Sequence, residues 1–228
     1  MDFARAIMYP FDDDEWLKKL GLGVLIGLIP LVGNPFALQG WSLEISQRVK
    51  RNDPIPLPDW GEFGDYLRRG FMLWLASLVY QLPTVLFACV VSVVWVLPAL
   101  GAGDDSGAAV AALGTMAIII VSCCSCLAVL YAIAASVVYL GGYIRYLDNE
   151  ELSTFFQFGD NIALVRNNIG DFGQVILYFL LAGLIVGVVS SITAGLGGLL
   201  SVPFFSYFWG HLLGQLAVKL RGAGAPAV

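Results

Sequence analysis

The sequence predicts an all-α, polytopic membrane protein, and three observations support this prediction. The segment from Gly70 to Ile144 contains no Lys or Arg, and the segment from Phe172 to Val218 contains no charged residue. Hydrophobic residues make up 58% of the 228-residue chain and charged residues only 13%, with a mean hydropathy of +0.80. Because a helix needs about 20 apolar residues to cross a bilayer, each segment can form a pair of spans.

Residues 1–16 are expected to lie at the membrane interface and not to form a cleavable signal peptide. Asp2 and the acidic run at 12–15 contradict the basic start of such a peptide. Apolar side chains recur at every fourth residue from Phe3 to Phe11, as on one face of a helix that lies in the interface.

Residues 17–49 are apolar, but the segment from Pro30 to Pro35 interrupts them. Proline removes a backbone donor and disfavours helical angles in the residue before it. Two interpretations stay open: one kinked span, or a re-entrant pair of helices with both ends on one side of the membrane. Each arm of a pair would be about 21 Å long, too short to cross alone. The charge pattern favours the re-entrant pair, since that arrangement places all 12 basic residues on one side.

The remaining chain completes one integral membrane domain, with the predicted boundaries at the following residues. A Pro-rich loop covers 50–69, four full spans cover 70–98, 108–145, 171–193 and 199–219, and an amphipathic surface helix covers 149–168. The basic residues flank these spans on one side. The positive-inside rule therefore predicts a multi-pass protein of the cell membrane whose basic loops and C-terminus are cytoplasmic.

Two groups of residues form markers that can be compared with known families. The first group contains Gly40-Trp41, the basic stretch from Arg48 to Arg51, Leu57-Pro58-Asp59-Trp60 and Gly70. The second contains the acidic and aromatic segment from Glu151 to Asp160, followed by Arg166-Asn167-Asn168. Together they resemble the prokaryotic membrane family called domain of unknown function 4013, from Phe11 to about Val218. The resemblance implies a multi-spanning fold and membrane residence, and it implies no activity.

His211 is the single histidine of the chain and invites a functional interpretation. An intramembrane histidine can ligate haem or another pigment, or it can donate a hydrogen bond across a helix interface. Gln215 lies four residues further along the same helix face. The polar pair favours the second interpretation, and no cofactor is expected.

Cys123, Cys124 and Cys126 form the densest group of thiols. Successive residues of a helix point about 100° apart, so these thiols do not converge on one ion without unwinding the helix. Small side chains of this kind more often allow close helix contact. No metal site is expected.

Glu44 is the acidic residue of the broken segment and has two competing roles. It can coordinate a transported ion beside the helix break, or it can pair with Arg48 in the favourable i to i+4 order. The sequence favours the ion pair. Together with Asn34, His211 and Gln215, Glu44 makes up the candidate polar site.

Two glycine pairs have the spacing that lets membrane helices approach closely. They are Gly183 with Gly187, and Gly210 with Gly214. A very short turn joins the two helices that carry them. The sequence therefore predicts that the last two spans form an antiparallel hairpin and that these glycines mark helix contacts.

The chain carries none of the common nucleotide-binding or hydrolytic motifs. We therefore expect a protein that is not an enzyme and binds no nucleic acid. The first hypothesis is a structural, accessory or assembly subunit that binds other membrane proteins, or its own copies, within the lipid bilayer. The alternative is a small transporter or channel that uses the helix break between Pro30 and Pro35.

Overall fold

The structure is a computed structural model. It describes residues 1–54, 57–101, 107–193 and 195–222, and their side chains except those of residues 93–101, 107–119 and 196. The α-helices of these ranges are α1 (Phe3–Met8), α2 (Trp16–Gly27), α3 (Gln39–Arg51), α4 (Phe63–Gly101), α5 (Gly107–Asn149), α6 (Phe158–Asn167), α7 (Ile169–Ile192) and α8 (Leu196–Gly222). Shorter 3-10 turns cover Tyr9–Asp12, Trp60–Glu62 and Leu152–Phe156, and a π-helical turn covers Gly33–Leu38. The all-α prediction is confirmed for this part of the chain.

Three helical stretches of the described residues are long and apolar enough to cross a membrane, and the protein is thus membrane-embedded. They are Trp60–Ser92, Ile120–Asn149 and Ile169–Ile192. The predicted fourth span, 199–219, lies in α8, which is not among them. Serines, His211 and Gln215 lower the hydropathy of α8. The prediction of four full spans is therefore not confirmed.

The chain divides into two compact units, of which the smaller is Ser77–Tyr139. Within it, the Tyr131 hydroxyl donates to the Tyr80 carbonyl at 3.0 Å. The Gln81 amide donates to the Ser136 hydroxyl at 3.0 Å. Large apolar side chains on its described surface are exposed, as expected of helices that face lipid: Leu86, Val90, Leu127, Val129, Leu130 and Ile133.

The larger unit comprises Met1–Ala76 and Leu140–Val228, and its core forms where α3 packs along α8. Every residue from Gly40 to Gln47 is buried. On α8, Phe208 and Leu212 are fully buried and pack in the same cluster as Trp41. Since these consecutive residues are buried, with the polar Ser42 and the charged Glu44 among them, α3 occupies an internal position in this unit.

The helix break lies where the prolines predict it. Helix α2 ends at Gly27, and Leu31 adopts a left-handed φ of 66° before the π-helical turn begins. A Cβ atom at Gly33 would lie 1.8 Å from the Ile26 carbonyl oxygen, so only glycine fits this reversal. The break thus contains a backbone reversal.

The prediction of one continuous amphipathic helix at 149–168 is wrong. Helix α5 continues to Asn149, and Glu150 then adopts a left-handed φ of 56° that ends the helix. A 3-10 turn and α6 follow, and Phe155 of the turn is fully buried. Helical spacing in the sequence did not reveal the residue whose backbone breaks the helix.

Candidate functional site

Lys19 lies at the centre of a junction between α2 and the loop that precedes α4. Its ammonium donates to the Asp13 carboxylate at 2.7 Å and to the Leu57 carbonyl at 3.1 Å. It also forms an ion pair with Asp59 at 3.1 Å. Since an ammonium has three donors, these three acceptors satisfy the buried side chain.

Two opposing effects act on the charge of Lys19. Burial lowers the pKa of the ammonium, but the hydrogen bonds and charges of Asp13 and Asp59 outweigh burial, and the pKa of Lys19 lies above its ordinary value. Lys19 therefore stays protonated near neutral pH and serves as the charged centre of the junction.

Two tryptophans extend this junction to α3. The Trp60 indole donates to the Lys19 carbonyl at 2.8 Å, and the Trp41 indole donates to the Pro58 carbonyl at 3.1 Å. The two indole rings stack with centroids 5.0 Å apart and planes 15° apart. Leu57-Pro58-Asp59-Trp60 therefore ties α2 to α3.

Two glycines let α4 touch α3 and the π-helical turn before it through their backbones. A Cβ atom at Gly40 would lie 1.9 Å from the Tyr66 carbonyl oxygen, and one at Gly70 would lie 1.8 Å from the Phe36 carbonyl oxygen. The Tyr66 hydroxyl donates to the Asp59 carbonyl at 2.8 Å. The glycines of the first marker thus serve close packing.

The second marker holds the end of α5. The buried Arg145 guanidinium donates to Asn161 Oδ1 at 2.9 Å and to Gln157 Oε1 at 2.5 Å, and it pairs with Asp160 at 3.3 Å. The Asn161 amide in turn donates to the Phe155 carbonyl at 3.1 Å. Both markers are therefore structural junctions of the larger unit.

Glu44 lies buried among three guanidinium groups. It pairs with Arg48 at 3.1 Å, with Arg51 at 3.1 Å and with Arg69 at 3.0 Å. The Arg48 pair is the one that the sequence favours. The other two went unpredicted, because Arg69 comes from another helix and Arg51 lies seven residues from Glu44, outside the i to i+4 spacing. With both oxygens engaged, Glu44 is poorly placed to coordinate a transported cation.

His211 and Gln215 bond to each other and to the start of the chain. The Gln215 amide oxygen accepts from the Asp2 N–H at 2.6 Å, and its nitrogen lies 2.9 Å from His211 Nδ1. An amide nitrogen only donates, so Nδ1 accepts and the proton is on Nε2. The Tyr9 ring stacks on the imidazole at 4.4 Å. This pair therefore fastens the N-terminal segment to α8.

A cavity of about 440 Å³ lies beside this pair, and its lining includes Arg5, Asn52, Asp53 and both side chains. Asn34 is exposed in the π-helical turn. Among the described contacts, His211 and Gln215 are the two members of the predicted polar site that bond to each other. The four residues are thus not one cluster.

The two glycine pairs lie in different surroundings. A Cβ atom at Gly210 would lie 2.4 Å from the Ser42 carbonyl oxygen, and one at Gly214 would lie 2.6 Å from Val49 Cβ. At Gly183 and Gly187 no atom of the described residues lies within 4 Å of such a Cβ. One pair is packed inside the larger unit, and the other faces outward from α7.

The predicted thiol group lies on α5. Cys123 and Cys126 are exposed and Cys124 is half-buried. Within the described ranges, no group of three or more His, Cys, Asp and Glu residues is arranged to hold a metal ion.

The sequence did not identify the Lys19 ion pairs. Lys19 lies in an apolar run and its partner Asp59 lies 40 residues further along, so only folding brings them together. The tetrapeptide at 57–60 was a marker in the sequence, but its chemistry depends on backbone carbonyls that no sequence pattern displays.

The family model described as "Protein of unknown function (DUF4013)" matches residues 22–200. No curated protein matches the chain, and no solved structure matches it. The match covers the first marker and the second, and both contain the structural junctions described above.

Proposed function

The chain belongs to the family of unknown function DUF4013, and we propose that it is a non-enzymatic subunit that binds a transmembrane helix of another membrane protein. The observation that carries this proposal is the open glycine face of α7. Gly183 and Gly187 have packing spacing, yet no described atom of the chain occupies the space in front of them.

The side chains around these glycines suit contact with a helix. Leu180 is 63% exposed and Leu184 is 66% exposed, so apolar side chains flank the shallow surface that the glycines leave. Lipid tails are as apolar as leucine, and helix association in a bilayer therefore depends on close packing more than on burial from water. A surface of glycines with apolar edges supplies that packing.

The transporter alternative receives less support. It would use the helix break, but Glu44 is engaged by three arginines and Asn34 makes no bond to the other polar candidates. Flux through proteoliposomes that is lost in both Asn34→Ala and Glu44→Gln, with the folded protein retained, would favour transport over partner binding.

Two features support a re-entrant arrangement of α2 and α3, as the proposed topology. Helix α2 has 12 residues and measures about 18 Å, too short to cross a bilayer. After the reversal, Leu38 lies 3.3 Å from a Cβ built at Gly27, and Trp60 links Lys19 to Trp41. The chain therefore returns along α2.

With α8 as a fourth membrane helix, this arrangement places all 12 basic residues on one side, which we assign to the cytoplasm of the cell. A cysteine introduced at Arg5 would then react with a membrane-permeant reagent only. Labelling by an impermeant reagent in intact cells would contradict this topology.

The partner proposal is tested with a photocrosslinking amino acid at Leu184 in native membranes. We expect one integral membrane protein in the adduct, and we expect Gly183→Leu with Gly187→Leu to abolish it, because the added side chains fill the shallow surface. The matched control is Gly170→Leu with Gly173→Leu, which also adds side chains to open positions of α7. Adducts with lipid only, or equal loss in the control, would contradict the proposal.

A further inference from the structure

A cavity of about 420 Å³ opens beside the first turn of α2, outside both the His211 surroundings and the glycine face of α7. Its lining includes Glu15, Lys18, Leu22, Asp59 and Trp60. The rim is charged and open to the outside, since the Lys18 side chain is 68% exposed and the Asp59 side chain is 72% exposed. The cavity therefore admits a ligand from the membrane surface.

The charges of this cavity balance each other. Glu15 and Asp59 are anionic, while Lys18 and Lys19 are cationic. Lys19 has its donors satisfied from within the protein, as described above. Lys18 is left as an exposed cation, whose contact among the described residues is an ion pair with Glu15 at 3.2 Å. A ligand with one anionic and one cationic group would complement this set.

A row of exposed apolar side chains extends from the cavity along α2. Lys18, Leu22 and Leu25 follow helical spacing on one face, and the two apolar members are 38% and 63% exposed. Helix α2 measures about 18 Å, close to the depth of one leaflet of a bilayer with a core of about 30 Å. This row of apolar side chains thus has the length and the apolar surface to contact acyl chains below a headgroup.

We propose that this cavity binds the headgroup of phosphatidylethanolamine, with Lys18 at the phosphate, Glu15 and Asp59 at the ammonium, and the acyl chains along Leu22 and Leu25. A primary ammonium donates three hydrogen bonds, which suits two carboxylates. The quaternary ammonium of phosphatidylcholine has no hydrogen-bond donor for these carboxylates. The headgroup of an anionic phospholipid has no cation to pair with Glu15 and Asp59. The site is independent of the partner helix at Gly183.

The test measures which lipids remain bound to the full chain. The protein is extracted from nanodiscs that contain phosphatidylethanolamine, phosphatidylcholine and phosphatidylglycerol in equal amounts, and retained lipids are counted by native mass spectrometry. We expect enrichment of phosphatidylethanolamine, and about a tenfold loss of that enrichment in Glu15→Gln with Lys18→Gln. This double variant keeps the net charge, and Glu15 makes no capping hydrogen bond to α2.

The control removes a matched ion pair outside the cavity. Arg5 and Asp12 pair at 2.9 Å with similar exposure, so Arg5→Gln with Asp12→Asn is expected to leave the enrichment unchanged. If the first variant does not fold, Leu22→Trp, which fills the cavity from an exposed position, is expected to give the same loss. Equal retention of the three lipids, an unchanged enrichment in both cavity variants, or displacement by water-soluble phosphoethanolamine would overturn the lipid site.

Discussion

Helices α7 and α8 carry the same glycine spacing, and the structure uses it in two different ways. Gly210 and Gly214 bring α8 against α3 so closely that a Cβ at Gly210 would lie 2.4 Å from a backbone oxygen. Gly183 and Gly187 face open space in the described part of the chain. Spacing alone therefore indicates a surface capable of close approach, and the rest of the fold decides whether the chain itself occupies that surface.

The neighbours of the packed pair explain the difference. Around Gly210, the buried Ser46 hydroxyl lies 2.8 Å from the Gly210 carbonyl and 3.1 Å from the Tyr143 hydroxyl. Such bonds fix one helix against another. Among the residues that the structure describes, no comparable polar contact is present at Gly183, whose neighbours Leu180 and Leu184 are apolar and exposed.

The largest effect is expected at Gly210. Gly210→Ala places a methyl group against the Ser42 carbonyl, and backbone cannot move aside as a flexible side chain can. We expect about 3 kcal/mol of destabilisation, at the upper end for overpacking. Unfolding by SDS titration in mixed micelles measures it. An unchanged midpoint would show that α3 and α8 pack less closely than described.

A smaller loss is expected at Gly214. In Gly214→Ala the new methyl group meets Val49 Cβ at 2.6 Å and Val49 Cγ1 at 2.8 Å, and the Cγ1 atom can rotate away while the Cβ atom moves only with its backbone. About 2 kcal/mol of destabilisation is expected. Val49→Ala in the same chain should recover part of this loss in the same titration. Failure of that rescue would indicate that the contacts which remain in Val49→Ala dominate, namely Cβ of residue 49 at 2.6 Å and the Ser46 carbonyl at 2.9 Å.

Removal of the Ser46 hydroxyl should lower the free energy of unfolding by less than either glycine substitution. Ser46→Ala leaves the Gly210 carbonyl and the Tyr143 hydroxyl without this partner, and we expect about 1 kcal/mol of destabilisation. The matched control is Ser191→Ala on α7, whose exposed hydroxyl bonds only within its own helix at Gly187. Equal effects in the two variants would remove the argument that Ser46 fixes α8.

The smallest effect is expected at the open pair. Gly183→Ala and Gly187→Ala meet no described atom, and alanine favours helix by up to about 1 kcal/mol. The purified protein should therefore keep or slightly gain stability, in contrast to Gly210→Ala. A loss of stability comparable to that at Gly210 would mean that the chain itself occupies this face. It would contradict the difference between the two glycine pairs.

The sequence predicted the class of structure better than its contacts. The all-α class, the break near Pro30 and the Glu44 pair with Arg48 follow from local spacing, composition and proline chemistry. The four-span count was not confirmed, because α8 mixes apolar residues with His211 and Gln215. The continuous surface helix was wrong, because the left-handed backbone of Glu150 leaves no trace in hydrophobic spacing.

The candidate site was predicted one residue at a time, without its partners. His211 was expected to donate across a helix interface beside Gln215 on the same face. In the structure His211 Nδ1 lies 2.9 Å from Gln215 of the same helix, and the Gln215 oxygen accepts from the Asp2 backbone at the other end of the chain. Glu44 has a partner from α4 in Arg69. Partners far away in sequence, or on the backbone, escape any local pattern.

The sequence by itself determined that this protein is helical and resides in a membrane, because hydrophobicity and helix length are summed over the chain and need no knowledge of contacts. It also marked the residues that join the helices. Only the tertiary structure decided what those residues touch. Lys19 pairs with Asp59, Gly40 packs on Tyr66, and Gly210 packs on Ser42. A Cβ at Gly183 would meet no described residue. Packing is a property of pairs of surfaces, and a sequence shows only one surface of each pair.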